Sequence, residues 1–327
     1  MDLLYGAKNA LNNTARKFLG STAWDTAACE LLAGDASARR YFRLRKKKES
    51  VVLMDASQNP SSVAPFIHVD QHLRQLGFSA PAIHARDEQN GLLLLEDFGD
   101  GTFTCLLEGK DDPNRLYALA TDILIALHKH PLAVPKDLRA YHPEKMLEDI
   151  ELFLEWRTPG ISEEGKTNFR AVWREVLPMA HLVPMSLLLR DYHVANLMLL
   201  PDRAGIRQAG LLDFQDAYQG PITYDLASLL EDARRDVPES LRERMKARYV
   251  AEFPYLERGT FENSTAILAA LRHTRVLAIF ERLSQRDGKH DYKRLHTPRV
   301  ERMLRRALSH PMLATVGQWF EKYVWKD

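Results

Sequence analysis

Two stretches decide the fold of this chain: residues 187–200, which read LLLRDYHVANLMLL, and residues 211–230, which read LLDFQDAYQGPITYDLASLL. They contain the carboxylate of Asp191, the amide of Asn196 and the carboxylate of Asp213, in that order. Phosphoryl transfer needs a group that accepts the proton of the acceptor hydroxyl, and hard oxygen ligands for Mg²⁺. The pattern therefore predicts Asp191 as the catalytic group, and Asn196 and Asp213 as ligands of a magnesium ion that bridges nucleotide phosphates.

The predicted secondary structure differs on the two sides of residue 98. Before it, a probable N-terminal helix precedes short strand-like runs, which are separated by turn residues and interrupted by one helical pattern at 62–77. The strand-like runs are 29–34, 39–45, 50–56, 81–87 and 91–98. From about residue 114 the periodicity is mostly helical, with long patterns at 163–177, 224–252, 262–286 and 311–325, and a hairpin of 196–200 with 209–214 is embedded among them. We therefore predict an α+β fold, with a β-rich N-lobe over 1–98 and a helical C-lobe over 99–327.

Composition excludes several classes of function. The chain has 327 residues, with 45 Lys plus Arg against 44 Asp plus Glu, so no overall charge favours nucleic acid or an anionic membrane. The basic run at 43–48 is predicted to be a solvated hairpin turn. The two cysteines fit no metal spacing and no disulfide framework. No signal peptide or apolar spanning segment is evident, so we expect a cytoplasmic protein without membrane contact.

The motifs resemble those of the aminoglycoside phosphotransferase-like kinases, which share the two-lobed protein-kinase fold. The resemblance implies ATP and Mg²⁺ as cofactors. It also implies roles for further residues: Asp225 in TYDLA would brace the catalytic loop, and Asp216 would follow the metal aspartate. His193 would either hold the loop together or act in acid–base chemistry, and we favour the first role. The usual histidine and glycine before the catalytic aspartate are replaced by Leu189 and Arg190.

The nucleotide end is less regular. The strand SVVLMDA has no lysine like the one that protein kinases carry on their third strand, and the next helix offers Asp70 rather than a glutamate. In GDASARRYFRL (34–44), Gly34 would allow close approach of the phosphates, and either Arg39 or Arg40 would replace the missing cation. Of the two, we take Arg40 as the candidate.

The triplet DFG at 97–99 resembles the metal-binding motif of protein kinases but precedes the catalytic loop, where a metal aspartate cannot lie. We expect the adenine edge to contact the backbone of Leu95, Glu96 and Asp97 instead.

Within the family, the sequence motifs GDAS-RRYF, EDFGD and RDYH--NLM look most like those of the kinases of N-acetylmuramate and N-acetylglucosamine. This resemblance implies phosphorylation of the anomeric C1 hydroxyl in cell-wall recycling. Candidate acceptor contacts are Trp156, although a tryptophan on an amphipathic helix is more often a core residue, and Asp216, Asp232 and Arg234. Two alternatives stay open: an aminoglycoside, choline or homoserine kinase, and a pseudokinase that binds nucleotide as a scaffold. The sequence does not predict the oligomeric state.

Overall fold

A computed structural model describes residues 11–32 and 39–325. Gly34, predicted to approach the phosphates, lies outside the described residues. The chain divides into two compact units. Unit 1 contains residues 1–110 and 195–216, and unit 2 contains residues 111–194 and 217–327.

Unit 1 is built on a five-stranded antiparallel sheet of order β1-β2-β3-β5-β4. The strands are β1 (Ala28–Leu31), β2 (Arg40–Lys46), β3 (Glu49–Asp55), β4 (Ile83–Asp87) and β5 (Leu92–Glu96). The helices of this unit are α1 (Asn13–Gly20), α2 (Val63–Gln75) and α3 (Phe103–Glu108). Phe42, Leu53 and Leu94 form one core with Phe18 of α1, because alternate side chains of a strand share a face.

The basic run at 43–48 forms the end of β2 and the β2–β3 turn, where Lys47 has a φ of 57°. Its lysines are exposed or partly exposed, as predicted, but Arg43 is buried. Arg43 thus departs from the expectation of a solvated run.

A second hairpin completes unit 1, although it comes much later in the chain. It pairs β7 (Leu197–Leu199) with β8 (Ala209–Leu211) in antiparallel register. Bridges join Thr102 to Met198 and Ser79 to Gly210, and the Leu199 N–H donates to the Gly101 carbonyl at 2.8 Å. The predicted division at residue 98 therefore differs from the observed one: unit 1 runs on to residue 110 and includes 195–216.

Unit 2 is mainly helical. Its helices are α4 (Pro113–Lys129), α5 (Pro143–Trp156), α6 (Glu163–Val176), α7 (Thr223–Leu230), α8 (Glu239–Ala251), α9 (Arg258–Asp287), α10 (His290–Leu308) and α11 (Ala314–Tyr323). The long helix α9 packs against α5, α7 and α10. One short antiparallel pair, β6 (Met185–Leu188) with β9 (Tyr218–Pro221), lies on either side of the hairpin of unit 1 in sequence.

One predicted helix is two. The helical pattern over 224–252 is broken after α7, where the Asp232 carboxylate accepts the N–H of Arg234 at 2.8 Å, and α8 begins only after Pro238. The turn formed by Asp232 competes with continued helix. Among the described helices, none has a stretch long and apolar enough to cross a bilayer.

Candidate active site

The loop that carries Asp191 is held by one buried carboxylate of α7. Asp225 accepts the N–H of Leu189 at 2.6 Å and that of Arg190 at 2.9 Å. It is fully buried, and burial raises its pKa to about 7 despite these two donors. Arg190 has a φ of 66°, a conformation that non-glycine residues adopt only when their surroundings impose it. These contacts fix the backbone immediately before Asp191, whose side chain is half-buried.

Arg190 explains one departure from the family pattern. Its guanidinium pairs with Asp149 of α5, and its Cζ lies 5.0 Å from the ring centroids of both Tyr141 and Tyr218. The hydroxyl of Tyr141 donates to the same Asp149 at 2.8 Å. The cluster of Arg190 with Asp149 and the two tyrosines holds the loop against α5. Arg190 therefore has a supporting role rather than a catalytic one.

His193 also supports the loop. It is 3% exposed, and its Nε2 lies 3.2 Å from Nη1 of Arg234. Burial, with the nearby guanidinium groups of Arg234 and Arg272, holds the pKa of His193 well below its usual range. The imidazole is therefore neutral at physiological pH, and its Nε2 accepts from the guanidinium. This geometry favours the structural role over acid–base chemistry.

The two predicted metal ligands lie together in unit 1. Nδ2 of Asn196, at the start of the β7–β8 hairpin, is 3.5 Å from Oδ2 of Asp213, at its end. Asp213 has a φ of 59°, and its Oδ1 accepts from Nε2 of Gln215 at 2.8 Å. Phe214, between them, is buried and stacks on Phe66 of α2 with centroids 5.0 Å apart.

This donor set fits Mg²⁺, which commonly takes only one or two protein oxygens and completes its shell with water and phosphate. Across residues 11–32 and 39–325, no three His, Cys, Asp or Glu side chains are grouped as a metal site would need.

The two candidate arginines of β2 differ in their partners. Arg40 pairs with the buried carboxylate of Asp55 on β3 at 2.6 Å. Nη1 of Arg39, by contrast, lies 3.8 Å from Oδ1 of Asp213, and its side chain is 12% exposed. Since Arg39 lies beside Asp213 and Arg40 is paired with Asp55, the geometry favours Arg39. A direct role for Arg40 at the phosphates stays a prediction.

The segment after β5 is fixed by a residue that the sequence did not suggest. Arg43 donates from Nη2 to Asp97 at 2.9 Å and to the carbonyl of Gly99 at 2.8 Å, and it forms ion pairs with both Asp97 and Asp100. The Glu96 N–H donates to the carbonyl of Ala82 and is therefore already used. The predicted adenine contact of Leu95, Glu96 and Asp97 would have to use the other backbone groups of these residues. The alternation of the predicted strand 39–45 puts Arg43 on the same face as Arg39. This was the only feature of the sequence that could have indicated the role of Arg43.

The predicted acceptor contacts are distributed unevenly. Asp232 and Arg234 lie beside His193 in unit 2. Trp156, the last residue of α5, is half-buried and is not among the buried residues of that helix, which leaves a face of the indole accessible. Asp216 is exposed and belongs to unit 1, whereas the other three residues belong to unit 2.

Comparison with known proteins shows the family to which the chain is similar. The family described as "Phosphotransferase enzyme family" matches residues 28–260. A Caulobacter vibrioides protein named N-acetylmuramate/N-acetylglucosamine kinase is 32% identical, over 94% of this chain and 95% of the relative. A protein of the same name from Neisseria meningitidis serogroup B is 35% identical over 84% of each chain.

Solved structures show the same fold. The choline/ethanolamine kinase family protein of Mesorhizobium loti aligns with a TM-score of 0.61 at 16% identity, over 94% of this chain and 99% of that one. The GDP complex of aminoglycoside 2'-phosphotransferase-IIIa aligns with a TM-score of 0.63 at 13% identity, over 88% and 97%. These similarities confirm the predicted α+β, protein-kinase-like fold.

Proposed function

Because the chain belongs to the phosphotransferase enzyme family, we propose that it is an ATP- and Mg²⁺-dependent sugar kinase. It transfers the γ-phosphate to the anomeric C1 hydroxyl of N-acetylmuramate or N-acetylglucosamine, in the cytoplasm, where ATP is available, as a step of cell-wall recycling. The substrate part of the proposal is supported by four relatives of that name, at 32–35% identity and over 80–94% of this chain.

Each residue of the site has a distinct task in this reaction. Asp191 accepts the proton of the C1 hydroxyl as the sugar oxygen bonds to the γ-phosphorus. The bond from that phosphorus to the β–γ bridging oxygen breaks, and ADP leaves. Asn196 and Asp213 would hold Mg²⁺, which offsets phosphate charge when it is bound. Arg39 would supply the second positive charge.

One observation carries the proposal: the loop before Asp191 is braced by two hydrogen bonds to Asp225, while Asn196 and Asp213 remain side by side. A pseudokinase has no need to retain all three chemical groups in this arrangement. The absence of the strand lysine, which supports that alternative, is offset by the position of Arg39.

A substrate screen tests the proposal. N-acetylmuramate, N-acetylglucosamine, kanamycin, choline and homoserine are each supplied with Mg²⁺ and ATP, and ADP release is measured for the wild type and for Asp191→Asn as the matched control. We expect turnover of the two sugars by the wild type alone. Turnover of kanamycin, choline or homoserine instead would support the alternative kinases, and ATP binding without any turnover would support the pseudokinase.

A further inference from the structure

Arg234 is a half-buried arginine of unit 2 whose guanidinium adjoins the catalytic loop. Its Nη1 donates to Nε2 of His193, and its backbone N–H is held by Asp232. Within residues 11–32 and 39–325, its guanidinium makes no ion pair with any Asp or Glu. Since a guanidinium has five N–H donors and His193 uses one, most of its hydrogen-bonding capacity remains.

Two other arginines near the loop already have partners, and a third, Arg272, is only 5% exposed and therefore not accessible to a substrate. Arg190 pairs with Asp149, while Arg299 of α10 pairs with Asp236 at 2.9 Å and donates to the carbonyl of Arg234. Asp232 is 1% exposed and is bonded to the backbone of Arg234, so it positions the segment rather than neutralising the guanidinium. The result is a half-buried positive charge with a fixed backbone.

The position of this charge relative to Asp191 is set by the chain. His193 follows Asp191 by two residues, a span of at most about 7 Å, and Arg234 contacts His193 directly. In a sugar whose C1 hydroxyl lies at Asp191, the carbon that bears the C3 oxygen is only two ring carbons away from C1. N-acetylmuramate carries a lactyl carboxylate on that oxygen, where N-acetylglucosamine has a hydroxyl.

We propose that Arg234 binds the carboxylate of an acidic sugar acceptor and thereby sets the preference for N-acetylmuramate over N-acetylglucosamine. This inference rests on the proposed function. A guanidinium matches a carboxylate through two parallel N–H donors, and the bond that Arg234 gives to His193 holds it in place before substrate binds. The neutral sugar lacks the charged partner, so Arg234 discriminates between the two acceptors.

The test compares wild type with Arg234→Gln, Arg234→Lys and the control Arg302→Gln. Gln keeps a donor for His193 but removes the charge, Lys keeps the charge without the planar fork, and Arg302 is an exposed arginine of α10. The readout is the ratio of kcat/KM for N-acetylmuramate to that for N-acetylglucosamine. We expect Arg234→Gln to lower this ratio by about 10- to 100-fold, the range for losing a hydrogen bond to a charged group. Lys should restore part of it, and Arg302→Gln should leave it unchanged.

An unchanged ratio in Arg234→Gln would overturn the inference, whatever happens to the two rates separately. Calorimetry with each sugar in the presence of Mg²⁺ and ADP measures the same preference without turnover. If the wild type phosphorylates neither sugar, the proposed function fails. The inference about Arg234 then fails as well if N-acetylmuramate binds no more tightly to the wild type than to Arg234→Gln, and it survives if the wild type binds it at least about tenfold more tightly.

Discussion

Replacing Arg39 with leucine removes the one cation that the described residues place in an ion pair with Asp213. Two unit charges about 4 Å apart interact by about 4 kcal/mol at the effective dielectric of a partly buried site. Arg39 is 12% exposed, so solvent screens it little. Allowing for the phosphate charge that Mg²⁺ offsets, we expect kcat/KM for ATP to fall by about 10²–10³-fold, or about 3–4 kcal/mol.

The matched control is Arg40→Leu on the neighbouring residue. Arg40 is 40% exposed and pairs with the buried Asp55, so its loss should lower the free energy of unfolding by about 1–3 kcal/mol and leave the KM for ATP near that of the wild type. Steady-state kinetics with varied ATP, together with urea denaturation, separates the two effects. If Arg40→Leu lost ATP-dependent activity and Arg39→Leu did not, the assignment to Arg39 would be wrong and the sequence-based prediction of Arg40 would be correct.

Three further predictions concern buried or catalytic carboxylates. Asp191→Asn should lower kcat by about 10²–10⁴-fold while calorimetry still detects nucleotide binding, and full activity would disprove its assignment as the base. Asp225→Ala leaves the N–H groups of Leu189 and Arg190 without their acceptor, so denaturant unfolding should show a loss of about 2–5 kcal/mol; Asp225→Asn, which keeps one acceptor oxygen, should lose less. Asp70 is 1% exposed, and burial raises its pKa to about 7 in the native protein. In the unfolded protein the same carboxyl ionises at lower pH, so the native state loses stability as the pH rises from about 4 to about 7. The stability advantage of Asp70→Asn over the wild type should therefore grow by about 2–3 kcal/mol between pH 5 and pH 8, and a constant difference would refute the raised pKa.

Much of the fold could be predicted because its elements have clear local periodicity. The five strands of unit 1 and helix α2 lie within a few residues of their predicted bounds. Helix α10 was not predicted, because it is strongly polar and contains Pro298, which interrupts the usual helical pattern. It forms because its apolar residues, among them Val300 and Leu304, are buried beside α9. Tertiary packing thus supplied what local propensity lacked.

In the candidate site, too, local features could be predicted from the sequence and long-range contacts could not. The order and spacing of Asp191, Asn196 and Asp213 could be read from the sequence, since the loop and hairpin are short. Strand alternation separated Arg39 from Arg40, but it could not say which face lies beside Asp213, because that depends on residues far apart in sequence. The contacts of Arg43 with Asp97 and Asp100 were missed for the same reason.

The late hairpin of unit 1 has a consequence for how the chain is made. Residues 1–110 leave the ribosome well before residues 195–216, which carry the bridges to Ser79 and Thr102 and the phenylalanine that stacks on Phe66. Vectorial folding of the amino-terminal sheet is therefore incomplete until most of the protein has been translated. Phe66 meanwhile lacks the stacking partner that covers it, and a fragment cut at residue 98 or 110 would keep that deficit permanently. An isolated fragment of unit 1 should therefore include the hairpin, joined to residues 1–110 by a linker in place of 111–194.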